Sequence, residues 1–192
     1  TMEGVKLNNK QQLIEFLSTQ TEIQEIFTIL KQQQINEAVL TAGAVRNLVW
    51  DKLTQQKYNI LQENIDILFA DQGLSYEKLL TKKAIINQKY SKYLWNIQNV
   101  RQNNSTSHQP FGNSVENALM TIPETCSAVG VSISKQGEFE ILAPFGLDDL
   151  FNFEIHPNPT WLNNKAKMAA YQRRLNWKNW LDRWPNLKTY SK

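Results

Sequence analysis

Two short segments carry the side chains best suited to phosphate and metal chemistry. In the first, residues 41–47, an apolar run that predicts a strand ends at Gly43, and a helical period of apolar residues then begins. Glycine at such a turn lets backbone N–H groups approach phosphates, and the helix N-terminus adds a favourable dipole. Arg46, in the first helical turn, can add a bidentate phosphate contact. The alternative is that Gly43 only makes a tight turn and Arg46 lies at the surface.

The second segment, about twenty residues later, alternates polar and apolar side chains and predicts a strand over residues 64–69. Asn64 and Asp66 are two residues apart, so both point to one face, the arrangement with which two carboxylates clasp a pair of Mg²⁺ ions. Only Asp66 is charged, and Mg²⁺ prefers carboxylates to amides, so we expect weakened metal binding. Three neighbouring carboxylates are poorly placed to substitute: Glu63, Asp51 and Asp71.

The elements that must position these segments follow from periodicity and turn residues. In the first half of the chain the pattern predicts two helices within 10–34, a strand at 37–41 followed by a helix, and strands at 64–69 and 93–99 flanking a helix at 76–87. A polar loop at 102–113 follows. The second half is predicted to contain a helix at 114–121, a hairpin of 128–134 with 138–142, a short helix after the turn at 144–146, and a final helix at 160–183. This order predicts an α/β (α+β) fold with a small mixed sheet flanked by helices.

Composition limits the class of protein. The 192 residues suit a single domain over 1–192, with N-terminal helices at 1–34, a core at 36–101 and a C-terminal part at 114–192. A net charge of +3 does not indicate a nucleic-acid-binding protein. Cys126 is the single cysteine and is expected to fill the core. With neither a long apolar span nor a signal peptide in the sequence, we expect a soluble, cytoplasmic protein without membrane contacts.

Several blocks, taken in order, resemble one known family. The chain is similar, over about residues 38–187, to the small bacterial nucleotidyltransferase-like family, which is related in fold to the polymerase-beta-type nucleotidyltransferases. The blocks that carry the resemblance are Ala42–Asp51, Ile65–Ile67, Trp95–Asn99, Ile122–Thr125, Ala128–Val131, Leu142–Phe151 and Trp180–Pro185. Each block alone is weak, and their order makes the resemblance specific.

The resemblance implies a nucleotidyltransferase fold and a Mg²⁺-dependent reaction. A nucleoside monophosphate would pass from an NTP to the hydroxyl of an unidentified acceptor. Position by position, it implies a catalytic set of Asn64, Asp66 and Asn96, with Asp66 as the metal ligand. It also implies an NTP-binding set of Gly43, Ala44, Arg46 and Asn47.

The chain departs from the family pattern at the metal site. Asn64 stands where the family has Asp, and Asn96 stands where it usually has an acidic residue. Gln98 replaces a usual Lys, and Arg101 is shifted by one position. Two hypotheses therefore stay open: an active nucleotidyltransferase, or a degenerate member that keeps the fold as a nucleotide-binding or protein-interaction module.

Other candidate residues have structural interpretations. Asp148 and Asp149 are better explained as favourable charges at a helix N-terminus than as metal ligands. His108 and His156 are too far apart, and too isolated from acidic or Cys neighbours, to suggest a zinc site. On the final helix we expect a buried aromatic face of Trp177, Trp180 and Trp184. A basic side of Arg173, Arg174 and Lys178 is more simply explained as solvated than as phosphate-binding.

Overall fold

A five-stranded mixed sheet forms the centre of the molecule. The computed structural model describes residues 7–102 and 113–191, so the loop predicted at 102–113 lies almost wholly outside the described residues. The strands of the sheet are β1 (Val39–Thr41), β2 (Asn64–Phe69), β3 (Leu94–Asn99), β4 (Gly130–Ile133) and β5 (Phe139–Leu142). Their order is β3-β2-β1-β4-β5, with β2 and β3 parallel and the other pairs antiparallel. The predicted α/β class with a mixed sheet is confirmed.

Helices flank this sheet. They are α1 (Lys10–Ser18), α2 (Thr21–Gln32), α3 (Gly43–Leu53), α4 (Tyr76–Lys89), α5 (Val115–Leu119), α6 (Asp148–Asn152), α7 (Lys165–Lys178) and α8 (Trp180–Arg183). α3 contacts β1 and β2, α4 contacts β3, α5 contacts β2, and α1 contacts β5. No helix in the described part of the chain is long and apolar enough to cross a membrane.

Alternation along β2 divides the protein interior in two. Ile65, Ile67 and Phe69 belong to the main core, which also includes buried residues of α1, α2 and α3. Leu68, on the opposite face, joins a smaller cluster that includes Leu119 of α5. α5 thus covers this second face at the C-terminal end of β2, which leaves polar side chains on the rest of it.

Trp50 of α3 anchors the C-terminal part of the chain. Its ring is fully buried, and its Nε1 donates to the carbonyl oxygen of Leu150 at 2.9 Å. The rings of Trp180 and Trp184 pack against it edge-to-face, with centroids 6.4 and 5.0 Å away. These contacts hold α6 and α8 against α3.

The final helix differs from its prediction. A 3-10 turn at Pro159–Trp161 precedes α7, and α7 ends at Asn179, whose left-handed backbone (φ 49°, ψ 36°) separates it from α8. Asn tolerates this conformation better than most residues do. The break makes the predicted aromatic face wrong for Trp177, which is 76% exposed, whereas Trp180 and Trp184 are buried as predicted.

Two very short strands were not predicted. β6 (Glu154–Ile155) and β7 (Lys188–Thr189) pair in parallel and form a second, two-stranded sheet beside α6. Strands of two residues are too short to show an alternating pattern in a sequence.

Candidate functional site

The polar face of β2 and β3 carries three of the predicted site residues. Asn64 and Asp66 lie on the same face of β2, and the parallel register places Asn96 of β3 opposite Asp66. The Asn96 Nδ2 atom donates to Asp66 Oδ1 at 2.7 Å. The structure thus places Asn64 and Asp66 on one face, as strand parity predicted, and Asn96, which the family resemblance added, donates to Asp66 where an acidic residue is usual in the family.

Asp66 is half-buried, and its surroundings have opposing effects on its pKa. Burial raises the pKa of Asp66 above its ordinary value, and the hydrogen bond from Asn96 opposes this rise. The positive charges of Lys178, Arg174 and Arg46 also favour the ionised form. Three cations therefore act on a single carboxylate.

The turn between β1 and α3 begins beside Asp66. Thr41 is the register partner of Asp66, and its hydroxyl donates to the Asp66 carbonyl oxygen at 3.3 Å. Ala42 adopts φ 56° and ψ −124°, and no side chain caps the helix that begins at Gly43. The first N–H groups of a helix have no intrahelical acceptor, so this end of α3 can donate to an anion.

The predicted phosphate-binding residues differ in accessibility. Gly43 is partly exposed, whereas the side chain of Ala44 is fully buried in the core. The Ala44 carbonyl oxygen accepts from the Tyr58 hydroxyl at 2.8 Å. If these two residues bind phosphate, they can do so only through backbone N–H groups.

Arg46 is buried, so the alternative that placed it at the surface is wrong. It is only 4% exposed, and its Nε donates to Asn47 Oδ1 at 3.0 Å. Its Nη1 donates to the hydroxyl of Ser127. The guanidinium lies over the Trp180 ring, 4.4 Å from the centroid. Arg46 Nη2 lies on the side of the turn, because it would be 3.8 Å from a Cβ atom placed on Gly43.

Asn47 links Arg46 to a network of polar side chains that joins α3 to Glu63 and Arg183; we call it the polar network beneath α3. Its Nδ2 donates to Glu63 Oε2 at 2.8 Å, and Arg183 donates to Glu63 Oε1 at 3.1 Å. Arg183 also pairs with the fully buried Asp51, which accepts from Trp184 Nε1 at 3.0 Å. Glu63 and Asp51, both judged poorly placed for metal binding, thus have structural partners.

Two cations of α7 complete the site. Arg174 and Lys178 are one helical turn apart and half-buried, whereas Arg173 is exposed, so the predicted solvated side holds fully for Arg173 and only in part for the other two. Arg174 forms an ion pair with the fully buried Glu124. Within the described residues, Lys178 makes no salt bridge, and burial followed by the charges of Arg174 and Arg46 lowers its pKa. The i, i+4 spacing of Arg174 and Lys178 was the available sequence signal.

The donors around Asp66 do not fit a pair of Mg²⁺ ions. One carboxylate and three amides are present, and Gln98 donates to Asn96 Oδ1 while Asn96 donates to Asp66. Positive side chains close to Asp66 oppose a divalent cation further. We therefore assign no step of a reaction to a metal ion at this position.

A separate group surrounds His156, contrary to the expectation that this residue lacks acidic neighbours. Ligand atoms of Asp149, Glu154 and His156 lie within 4.8 Å of one another. Asp149 Oδ2 lies 3.1 Å from His156 Nδ1 and also accepts from the Thr125 hydroxyl. The short strand β6 carries Glu154 to this place, which the sequence pattern did not show. Asp149 already has partners within the protein, which accounts for its position without a metal ion.

Cys126 and His156, which their residue types make candidate reactive side chains, both pack against other residues. Cys126 is buried as predicted, and burial raises the pKa of its thiol to about 12, so it stays protonated. His156 stacks on Tyr190, with ring centroids 4.0 Å apart. The buried, protonated Cys126 thiol is therefore not prepared to act as a nucleophile.

Comparisons with known proteins agree with this architecture. A family described as "Nucleotidyltransferase" matches residues 28–189. An NMR structure described as revealing a CCA-adding enzyme head domain is similar with a TM-score of 0.84 and 31% identity, covering 98% of this chain and 100% of that one. A search of curated proteins finds no significant match. The chain therefore belongs to the nucleotidyltransferase family.

Proposed function

We propose that this protein binds a nucleoside triphosphate at the N-terminus of α3, beside Asp66. The observation that carries the proposal is the convergence of this helix end with Arg46, Arg174 and Lys178 on one carboxylate. An NTP is the substrate class that the family suggests. Phosphates need backbone N–H donors and positive charge, and both are present here.

The reaction we propose is the transfer of a nucleoside monophosphate to an acceptor hydroxyl. Asp66 Oδ1 accepts from Asn96, and Asp66 Oδ2 makes no hydrogen bond within the described residues. We assign to Oδ2 the proton of the acceptor hydroxyl. The acceptor oxygen then bonds to the α-phosphorus, and the bond from this phosphorus to the bridging oxygen breaks as pyrophosphate leaves with the electron pair.

A raised pKa suits Asp66 to this role. General bases work best when their pKa lies near the working pH, and burial shifts Asp66 in that direction. Members of this family typically use a divalent metal ion. Because the donors here do not fit such a pair of ions, the positive side chains of the protein must stabilise the phosphates.

A second candidate function is nucleotide binding without transfer. It is favoured by the amides at Asn64 and Asn96, which leave Asp66 as the sole carboxylate on this face of β2 and β3 within the described residues. Without a metal ion the transfer loses electrostatic stabilisation of its transition state. The protein would then act through the conformation it adopts with nucleotide bound.

A transfer assay separates these candidates. Labelled NTPs are incubated with the protein and a cell extract, or with tRNA transcripts lacking the CCA end, since the similar structure is described as a CCA-adding enzyme head domain. We expect label transfer by the unmodified protein and a loss of at least about a hundredfold in Asp66→Asn. The control is Asp182→Asn, at an exposed position on α8.

The outcomes are distinct. Transfer that requires Asp66 excludes the binding-only candidate. Transfer seen only with the Asn64→Asp, Asn96→Glu double variant, which restores the carboxylates of the family pattern, rejects the enzyme candidate for this chain. Equal transfer by the Asp66→Asn and Asp182→Asn variants contradicts the role given to Asp66.

A further inference from the structure

We propose that Arg46, Arg174 and Lys178 take the place of a divalent cation, so that the nucleotide binds to this protein without one. We call these three residues the cation triad. This inference rests on the proposed function, because it concerns the same phosphates. It adds that nucleotide affinity does not depend on Mg²⁺.

Two members of the cation triad share one aromatic ring. The guanidinium carbons of Arg46 and Arg174 lie 4.4 and 5.8 Å from the centroid of Trp180, which is itself 6% exposed. Lys178 follows Arg174 by one helical turn, and its ammonium group lies 5.1 Å from the centroid of the Trp177 ring. The charges of Arg46 and Arg174 act on Lys178, which places the three cations on one side of Asp66.

Positive charge is concentrated locally at the cation triad. The charges of Arg174 and Arg46 lower the pKa of Lys178, whereas Glu124 and Asp66 oppose this effect. Glu124 is paired with Arg174, and Glu63 is shared between Asn47 and Arg183. Three cations thus lie close enough to repel one another, and a polyphosphate would relieve this repulsion.

Arg46 presents one donor group to the turn at Gly43. Its Nε and Nη1 donate to Asn47 and Ser127, whereas its Nη2 lies on the side of the turn. Nη2 is not among the buried side-chain atoms that lack a hydrogen-bond partner in the described residues, so it keeps contact with solvent. A phosphate oxygen beside the Gly43 N–H group would accept from Nη2 without a rearrangement of the Arg46 side chain.

The side chains around Asp66 argue against Mg²⁺. A divalent ion would need several anionic oxygens, and the polar face of β2 and β3 offers one carboxylate and three amides, those of Asn64, Asn96 and Gln98. The ion would also be repelled by the cation triad. Both observations favour positive side chains over a metal ion as the partners of the phosphates.

Calorimetric titration with ATP tests the inference directly. The full-length protein is titrated once in Mg²⁺ and once in EDTA. We expect the two dissociation constants to agree within about threefold. We expect the Asn64→Asp, Asn96→Glu double variant to bind ATP at least about tenfold more weakly in EDTA than in Mg²⁺, because it adds two negative charges that need a cation.

Variants of α7 identify the groups responsible. Lys178→Met should weaken ATP binding by about tenfold or more in both buffers, because it removes a charge-assisted contact. Lys165→Met, at an exposed position on the same helix, removes the same charge and should leave the affinity unchanged. Inorganic triphosphate should compete with ATP, since the proposed contacts are made to phosphates alone.

Each outcome decides one claim. ATP binding in Mg²⁺ that disappears in EDTA overturns the metal-independent inference and leaves the proposed nucleotide site standing. Equal affinities for Lys178→Met and Lys165→Met overturn the role of the triad. An absence of ATP binding in both buffers overturns the proposed function itself, and the inference with it.

Discussion

Asp66 is bordered on the polar face of β2 and β3 by amide side chains rather than by carboxylates. Asn96 donates to it, while burial raises its pKa and three cations oppose this rise. These surroundings suit the proton acceptor that we propose better than a metal ligand.

Two glycines near the site are expected to respond differently to substitution by alanine. A Cβ atom on Gly43 would make ordinary contacts of 3.8 to 3.9 Å, whereas a Cβ on Gly130 would lie 2.4 Å from Val39 Cγ1. Gly43→Ala should change the free energy of unfolding by less than about 1 kcal/mol and weaken ATP binding at least about fivefold, because the methyl group obstructs the phosphates.

Gly130→Ala is the matched comparison. It should lower the free energy of unfolding by about 1–3 kcal/mol through overpacking, while the folded fraction binds ATP with unchanged affinity. Urea unfolding and calorimetry measure the two effects. A Gly43→Ala protein that binds ATP normally would show that phosphates do not approach this turn.

The charge on Asp66 is expected to lower stability at neutral pH. Because burial raises the folded-state pKa above the unfolded value, the folded state loses stability as the pH rises through the folded pKa. Asp66→Asn, which removes the charge but keeps the shape, should be more stable than the unmodified protein at pH 7. This advantage should shrink as the pH falls toward the unfolded value of roughly 3.9.

Unfolding by urea at several pH values measures this difference. Asp182→Asn, at an exposed position, serves as the control for the replacement of one carboxylate by an amide. An Asp66→Asn protein that is less stable than the unmodified one at pH 7 would contradict the stated cause of the shift.

How well the site can be predicted differs among its residues. Strand parity predicted that Asn64 and Asp66 share a face, whereas Asn96 was added to them only by the family resemblance. The burial of Arg46 was not predicted, because it depends on Ser127 and Trp180, which are distant in the sequence. Similarly, periodicity shows that Arg174 and Lys178 share a face of α7 but does not show what that face contacts.

At the scale of elements, the break between α7 and α8 determines what reaches the site. The left-handed backbone of Asn179 redirects the chain, so that Trp180 packs on Trp50 while Lys178 stays near Asp66. A continuous helix, as predicted, would have kept Trp177 and Trp180 on one face. Helical spacing continues through an Asn, so the sequence pattern alone did not show the break.

Substitution of Asn179 tests the importance of this conformation. Asn179→Ala should lower the free energy of unfolding by roughly 1 kcal/mol, because alanine disfavours the left-handed region, whereas Asn179→Gly should stay close to the unmodified protein. Asn176→Ala, within α7, should instead raise stability by up to about 0.7 kcal/mol through helix propensity. Thermal and urea unfolding distinguish the three variants, and equal stability of the alanine variants would contradict this explanation.

At the scale of the whole molecule, the polar network beneath α3 connects the site to the C-terminal part of the chain. It runs from Arg46 through Asn47 and Glu63 to Arg183, and then to Asp51. The order of the main strands and helices could be predicted from periodicity and turn residues. This network could not, because its members are joined by tertiary packing and share no local pattern.

A structure of the protein with a non-hydrolysable ATP analogue, prepared in EDTA, tests the central claim most directly. We expect the phosphates within hydrogen-bond distance of the Gly43 N–H group, Arg46 Nη2 and Lys178 Nζ, with the α-phosphate on the Asp66 side. Phosphates bound elsewhere, or ordered only when Mg²⁺ is added, would contradict the account.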